Sequence, residues 1–380
     1  MIKLGTLDIT LKVGSATCTV YLGDTMVESG DTPTPPTPVD YSKEYLTFVA
    51  KADGTFTFSG TTTNNQINTL SYSLDNGTTW TALANNTASP IVTSGNKILW
   101  KGTCTAGTKY PNYGIGRFLS TAQFDVEGNI MSLLYGDNYK EQTDLTGKNY
   151  AFGYLFSGNT NVVSVENLSL PATTLSNYCY YYMFENCTSL TTAPELPATT
   201  LSDYCYSYMF ENCTSLTTAP ELPATTLSDY CYSCMFIGCT SLAIAPELPA
   251  STLTKSCYNY MFTRCTSLTT APVLSATTLA NSCYRTMFSG CTSLTIAPEL
   301  PASTLTKSCY ENMFKGCSNL NSITCLATDG TSEYHCTDNW VVGVAANGIF
   351  VKSASMSSWS SGGYGIPSGW VVQDYVPPSS

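Results

Sequence analysis

Apolar and polar residues alternate along the first third of the chain, which is the pattern typical of β-strands. Residues 1–30 show it in short segments, and the stretch from Asp31 to Asp40 that follows contains four prolines. Segments such as YLTFVA, GTFTFSG and NKILWKG continue the alternation between residues 41 and 134. We therefore predict a β-rich anchoring segment at 1–31, a Pro/Thr linker at 32–40 and a small antiparallel, Ig-like β-sandwich at 41–134.

The anchoring segment is too short to bury a core of its own. We therefore expect it to pair with another protein of a larger assembly. The positions predicted to make this contact are Leu4, Leu7, Ile9, Val20, Tyr21 and Leu22.

Within the predicted sandwich, residues 73–80 read SLDNGTTW and fit the S-x-D-x-G-x-x-W pattern called an Asp-box. Asp75 would cap the hairpin turn through backbone amides, with Trp80 packed beneath it. In sialidases such boxes lie away from the catalytic centre, so we interpret this one as a structural turn.

A second pattern, an internal repeat, begins after this segment. Cysteine, phenylalanine and leucine each recur every 26 residues, as in the series from Cys179 to Cys309, from Phe184 to Phe314 and from Leu190 to Leu320. Such a fixed period predicts a solenoid, in which each copy buries its apolar face against the next. We place the solenoid at 135–325 and a C-terminal cap carrying Trp340, Trp359 and Trp370 at 326–380.

Each repeat unit divides into two predicted parts. Cys179, Met183 and Phe184 have the spacing of one face of a short helix. The chain from Leu190 to Leu196 is predicted to be extended, because Pro194 and the following Pro197 exclude a helix there. The predicted fold is therefore multidomain and β-rich, with an α/β leucine-rich-repeat solenoid of 26-residue repeats.

The unit Met183-Phe184-x-x-Cys187-x-x-Leu190 followed by Ala193-Pro194-x-Leu196-Pro197 resembles the BspA-like (Treponema pallidum-type) leucine-rich repeat. The resemblance implies a surface protein that binds host or partner molecules through its solenoid. The whole arrangement is also similar to proteins of gut Bacteroidota and their phages, in which an LYLGDTLVYSG-like stretch precedes a Pro/Thr linker. Here residues 20–27 read VYLGDTMV.

Composition narrows the classes of partner. Charged residues make up 11% of the chain, against the roughly 25% usual in globular proteins, and the net charge is −11. This balance argues against nucleic acid, because phosphate binding requires clusters of Lys and Arg. No apolar run is long enough to span a membrane, and the N-terminus lacks the apolar segment of a secretion signal, so we expect synthesis in the cytoplasm.

The 17 cysteines allow three interpretations. Zinc binding requires clustered thiolate or imidazole ligands, whereas seven residues separate the two cysteines of each unit and the chain has one histidine, His335. Disulfides between stacked equivalents are geometrically conceivable. We expect free, buried thiols that act as small apolar side chains, and no metal or cofactor.

No arrangement typical of a catalytic site is present. Glu195, Glu221, Glu247 and Glu299 form a row whose spacing approaches that of retaining glycosidases, but identical environments would not separate their pKa values. We expect a solvated acidic stripe, with weak calcium binding as the alternative. His335 is expected to be structural, and we expect no enzyme activity.

The candidate ligand-binding residues lie where the repeats differ from one another. Position 181 and its equivalents read Tyr, Ser, Ser, Asn, Arg and Glu, and position 182 reads Tyr, Tyr, Cys, Tyr, Thr and Asn. Tyrosine and arginine are enriched in recognition surfaces, although variation also arises by neutral drift. The candidates are Tyr181, Tyr182, Glu185, Tyr208, Glu211, Tyr260, Arg264 and Arg285.

These patterns predict a phage virion surface protein of the tail-fibre or decoration type. Residues 1–31 would bind other virion proteins, and the solenoid would bind a host-surface glycan or protein, with several copies in the assembly. A bacterial cell-surface adhesin is the first alternative. A structural decoration that contacts only sister subunits is the second.

Overall fold

The computed structural model describes residues 40–63, 66–109, 112–328, 335–356 and 359–377, and of the preceding segment only four short strands. These strands are β1 (Ile2–Leu4), β2 (Leu7–Ile9), β3 (Tyr21–Leu22) and β4 (Thr25–Met26). β1 pairs antiparallel with β2, and β3 with β4. The predicted anchor residues lie on these strands, except Val20, which lies outside the described residues. The chain divides after Asp40 into two compact units.

The second unit begins with short antiparallel strands. They are β5 (Leu46–Ala50), β6 (Phe56–Gly60), β7 (Thr62–Thr63), β8 (Gln66–Ile67), β9 (Leu70–Ser73), β10 (Thr81–Leu83), β11 (Lys97–Gly102), β12 (Gly107–Lys109), β13 (Asn112–Gly114), β14 (Gly116–Ser120) and β15 (Phe124–Asn129). In the described part of this unit, the helices are one α-helix, α1 (Ser132–Tyr135), and the 3₁₀ turns Tyr41–Lys43 and Gly136–Asn138.

Two sheets cover one aromatic core in this part of the chain. The larger sheet has the order β10-β9-β11-β5-β15, and β14 pairs with β6 in the smaller one. Phe48 of β5 packs against Phe118 of β14, with ring centroids 4.8 Å apart. Burial alternates along β6 and β14, as the sequence pattern predicts, whereas β5 and β11 each bury three consecutive residues.

The Asp-box folds as a self-contained turn at the end of β9. The carboxylate of Asp75 accepts hydrogen bonds from the backbone N–H of Thr79 at 2.9 Å and from the hydroxyl of Ser73 at 2.7 Å. The indole N–H of Trp80 donates to the carbonyl of Gly77 at 3.0 Å. The predicted structural role of Asp75 is confirmed.

The larger sheet continues into the repeats. β15 pairs in parallel with β16 (Val162–Ser164) and with β17 (Leu168–Ser169). Residues from Leu46 to Trp370 belong to one hydrophobic core within the unit Tyr41–Ser380. The predicted boundary at residue 134 thus marks a change of local structure inside one compact unit.

Each copy of the repeat, called a coil below, begins with a ribbon of turns. Tyr178 and Tyr182 have φ values of 61° and 56°, in the left-handed region. The N–H of Tyr181 bonds to the carbonyl of Tyr178 at 3.2 Å, whereas that of Tyr180 bonds to the carbonyl of Cys205 in the next coil at 3.0 Å. An α-helix needs successive N–H groups for its own i−4 carbonyls. The predicted short helix, and with it the α/β description, is therefore wrong, and α1 is the only α-helix among the described residues.

Equivalent side chains of successive coils stack to form the core. The rings of Phe184 and Phe210 lie 5.6 Å apart and almost parallel, and the same contact recurs along the series. The thiol of Cys213 donates to the carbonyl of Phe184 at 3.1 Å, which gives this turn carbonyl a buried partner. The predicted core positions Cys179, Met183, Phe184, Cys187 and Leu190 are all fully buried.

The last coil is covered by a three-stranded parallel sheet and by tryptophans. The strands are β18 (Ser322–Cys325), β19 (Ile349–Lys352) and β20 (Val371–Asp374). Trp340 is fully buried and stacks on Tyr310 with centroids 6.2 Å apart, and Trp359 packs against Trp340 at 5.5 Å. These side chains occupy the place that another repeat would take, as predicted for a cap.

Candidate ligand-binding face

The turn ribbon gives each coil an outward face. Tyr180, Met183 and Phe184 point into the core, so the residues between them face outward. We call this surface the turn face and define it by the positions of Tyr178, Tyr181, Tyr182, Glu185 and Asn186 with their equivalents in later coils. All eight predicted ligand-binding residues lie on it.

Two ladders of stacked tyrosines run along the turn face. In the first, neighbouring ring centroids lie 4.5–4.6 Å apart along the series Tyr150, Tyr178, Tyr204 and Tyr230. In the second, the distances are 5.0 and 4.3 Å along Tyr154, Tyr182 and Tyr208. Since the ring faces are occupied by neighbouring rings, these ladders offer their edges to a partner.

Tyr181 has a different orientation and bridges the two ladders. Its ring is nearly perpendicular to those of Tyr178 and Tyr182, with centroids 5.3 and 4.4 Å away. The side chain is half-buried. In the next two coils its position is held by the buried Ser207 and Ser233. Tyr181 is therefore an addition to this coil that the repeat itself does not require.

Two carboxylates border the second tyrosine ladder. Glu185 accepts hydrogen bonds from Ser157 at 2.7 Å and from the amide of Asn186 at 2.9 Å. Burial and the charge of Glu185 raise the pKa of Glu211 to about 7. Near neutral pH, Glu211 can therefore present either a hydrogen-bond acceptor or a donor to a ligand.

The remaining candidates lie two to four coils further along. Arg285 forms an ion pair with Glu311 at 2.8 Å, and its guanidinium lies 5.6 Å from the ring centroid of Tyr260. The hydrogen bond with Glu311 raises the pKa of Arg285. Arg264 is exposed and adopts a φ of 62° at a position where other coils have glycine or asparagine.

The structure thus separates the predicted residues into two groups. Tyr181, Tyr182, Glu185, Tyr208 and Glu211 form one patch, while the arginines and Tyr260 belong to later coils. Charge follows the same division, because residues 149–254 contain no Lys or Arg and the next such residue is Lys255. The first patch is therefore aromatic and acidic.

The sequence-based candidates omit the first tyrosine ladder. The residue before the first cysteine of each unit reads Tyr at 178, 204 and 230 and Ser at 256, 282 and 308. This change from tyrosine to serine was a usable signal, of the same kind as the variation at position 181. Glu311, the partner of Arg285, was also missed. In the sequence it is recognisable only because its position, equivalent to 181, differs between repeats.

The cysteines, the glutamate row and His335, which the sequence analysis considered for metal binding or catalysis, form no metal-binding cluster among the described residues. Every cysteine in the described part of the chain is buried, and burial raises the pKa of Cys179 to about 12. The described residues contain no group of three or more His, Cys, Asp or Glu side chains arranged to hold a metal ion. The four glutamates of the predicted acidic stripe are exposed, and His335 contacts Asp338. Among the described residues no helix is long and apolar enough to cross a membrane.

Comparison with known families gives one match. The family described as "BspA type Leucine rich repeat region" matches residues 152–269 and 225–336, in six copies. No curated protein and no solved structure matches the chain.

Proposed function

Residues 152–336 are a BspA-type leucine-rich repeat region, and from this premise we propose that the chain is a non-enzymatic surface protein that recognises another surface. Such repeats suggest a role in surface adhesion or recognition. The turn face supplies the binding residues, and the coils form one solenoid that presents them in register.

The finer proposal is a phage virion protein that binds the surface of its bacterial host. Residues 1–31 attach it to the particle, the Pro/Thr linker and the sandwich project it, and the solenoid contacts a host glycan or protein. The N-terminal resemblance at residues 20–27 supports the virion assignment.

The observation that carries the proposal is the position of Tyr181. It lies across two tyrosine ladders, the second of which is bordered by Glu185 and Glu211. Its equivalents Ser207 and Ser233 show that the fold does not need it. Rigid tyrosines beside hydrogen-bonding groups are typical of recognition surfaces.

Two measurements with the full chain test the proposal. Fluorescently labelled protein should bind cells of a host strain saturably, and unlabelled protein should block infection of that strain. Deleting residues 1–31 should prevent incorporation into particles while leaving cell binding unchanged. Absence of binding across a panel of gut Bacteroidota strains would contradict the recognition role.

The family match also favours a second candidate, an adhesin on a bacterial cell surface. The chain would then be found on cells that carry no phage. Fractionation of infected and uninfected cultures, followed by detection of the chain in purified particles or in cell envelopes, distinguishes the two. A structural decoration that contacts sister subunits is the remaining alternative.

A further inference from the structure

A row of exposed side chains follows the extended segments of the later coils. Parallel pairing places Ile244 beside Thr270, Ile296 beside Ser322, Ser322 beside Ile349, and Ile349 beside Val371. Thr270 and Ile296 hold the same position 26 residues apart. Directly paired residues of parallel strands point to the same side of a sheet. We call this set the aliphatic row, and none of its members belongs to the turn face.

The row is exposed far more than aliphatic side chains of a core. Ile244, Ile296, Ile349 and Val371 are 63%, 64%, 42% and 59% exposed. Val273, at the position where other coils have glutamate, is 67% exposed beside the row. The exposed parts of these five side chains amount to roughly 500 Å², a size at which an apolar patch on a monomer is often a binding site.

Large and small residues alternate from Ile244 through Thr270, Ile296 and Ser322 to Ile349, and Val371 follows at the end of the row. A two-fold axis between Ile296 and Ser322 would place Ile296 of one copy over Ser322 of the other. The same operation places Ile349 over Thr270. Ile296 and Ile349 then each meet a smaller side chain, and Ile244 meets Val371 at the ends of the row, whereas parallel pairing of two rows would put isoleucine on isoleucine.

We propose that two copies of this chain associate antiparallel through the aliphatic row. An isologous contact of this kind is self-complementary and closes at the dimer. About 500 Å² from each copy gives a total near 1,000 Å², at the lower limit for a specific interface, so a micromolar dissociation constant is expected. The turn faces of both copies remain free, and the dimer doubles the number of binding faces.

The test is sedimentation equilibrium of the full chain between about 1 and about 100 µM. Wild-type protein should pass from monomer to dimer over this range. Ile296→Lys should weaken dimerisation at least 30-fold, because it buries a charge in the contact. Thr218→Lys, at the same position of the coil that precedes Ile244 and outside the row, is the matched control and should leave the dissociation constant unchanged.

Ser322→Ile distinguishes specific packing from nonspecific hydrophobic association. This change adds apolar area but fills the recess that receives Ile296, so dimerisation should weaken at least tenfold. Stronger association of Ser322→Ile would overturn the two-fold packing. Ile349→Thr gives an independent check, with about tenfold weaker dimerisation expected. A wild-type chain that stays monomeric at the highest concentration refutes the proposal, as does an equal effect of Ile296→Lys and Thr218→Lys.

Discussion

Replacing Arg264 with glycine should stabilise the protein. Arg264 holds a φ of 62°, and the equivalent residues in the next two coils are Gly290 and Gly316, with φ of 76° and 77°. The left-handed conformation costs an L-residue about 1–2 kcal/mol. Glycine avoids this cost but loses about 0.5–1 kcal/mol in chain entropy on folding. The Arg264 side chain is exposed and has no described hydrogen bond or ion pair that the substitution would remove. The net gain is therefore about 0.5–1 kcal/mol.

Two matched variants give the scale of the effect in the opposite direction. A Cβ on Gly290 would meet no atom closer than 3.6 Å, so Gly290→Ala should cost only the backbone conformation, about 1 kcal/mol. A Cβ on Gly238 would lie 2.4 Å from the side-chain oxygen of Asn212. Since Asn212 also donates to Asn186 at 3.0 Å, Gly238→Ala should cost about 2 kcal/mol.

The assay is urea unfolding of the full chain followed by circular dichroism. The free energy of unfolding should fall by about 3 kcal/mol per molar urea, so Arg264→Gly should raise the unfolding midpoint by about 0.2–0.3 M. Gly290→Ala should lower the midpoint, and Gly238→Ala should lower it further. A loss of 1 kcal/mol or more in Arg264→Gly would refute the reasoning, because Arg264 would then stabilise the fold. If the arginine is retained for binding, the same variant should also weaken attachment to host cells.

Three further predictions concern single groups. The pKa of Glu211 is higher in the folded than in the unfolded state, so the free energy of unfolding should fall by roughly 1 kcal/mol as the pH rises from about 4.5 to about 7. Urea unfolding at several pH values measures this dependence, and Glu211→Gln should make it flatter. Tyr232→Phe should be neutral or stabilising by up to about 1 kcal/mol in thermal unfolding, since the buried hydroxyl has no described partner, whereas Tyr232→Ala should cost about 3–5 kcal/mol. Iodoacetamide at about pH 8 should label none of the 16 cysteines among the described residues of the native chain, and all 17 of the chain after unfolding, as mass spectrometry can count.

The core of the repeats could be predicted from the sequence because it depends on burial alone. Cys179, Phe184 and Leu190 recur at fixed spacing, and only stacking of equivalent residues buries them all. The same argument located the cap at Trp340. Residue type and the 26-residue spacing are enough to predict that such positions are buried, because they must be apolar in any backbone conformation of the repeat.

The local backbone of the ribbon could not be predicted in the same way. Spacings of four and five residues fit a helix, but they also fit a ribbon in which every fourth residue, such as Tyr178 and Tyr182, is left-handed. What decides between them is the acceptor that the next coil offers to the N–H of Tyr180. That interaction joins residues 25 apart and has no signature within a single repeat.

The candidate site was predicted as a set of positions but not as a surface. Variation between coils identified Tyr181, Tyr182 and Glu185, because the fold does not dictate them. Their orientation depends on ring stacking between coils, which turns the faces of Tyr178 and Tyr182 toward their neighbours and leaves Tyr181 across them. Such geometry follows only from the three-dimensional stack.

The central claim is that the turn face binds the host surface, and substitutions taken from the chain's own repeats test it most directly. Full-length protein carrying Tyr181→Ser and Glu211→Ile has the residues that the next coil has, Ser207 and Ile237, so the fold should be kept. We expect its binding to host cells to fall about 30-fold or more. Glu195→Val, which copies Val273 outside the turn face, should bind like the wild type. Equal binding by the double variant and the wild type would contradict the account.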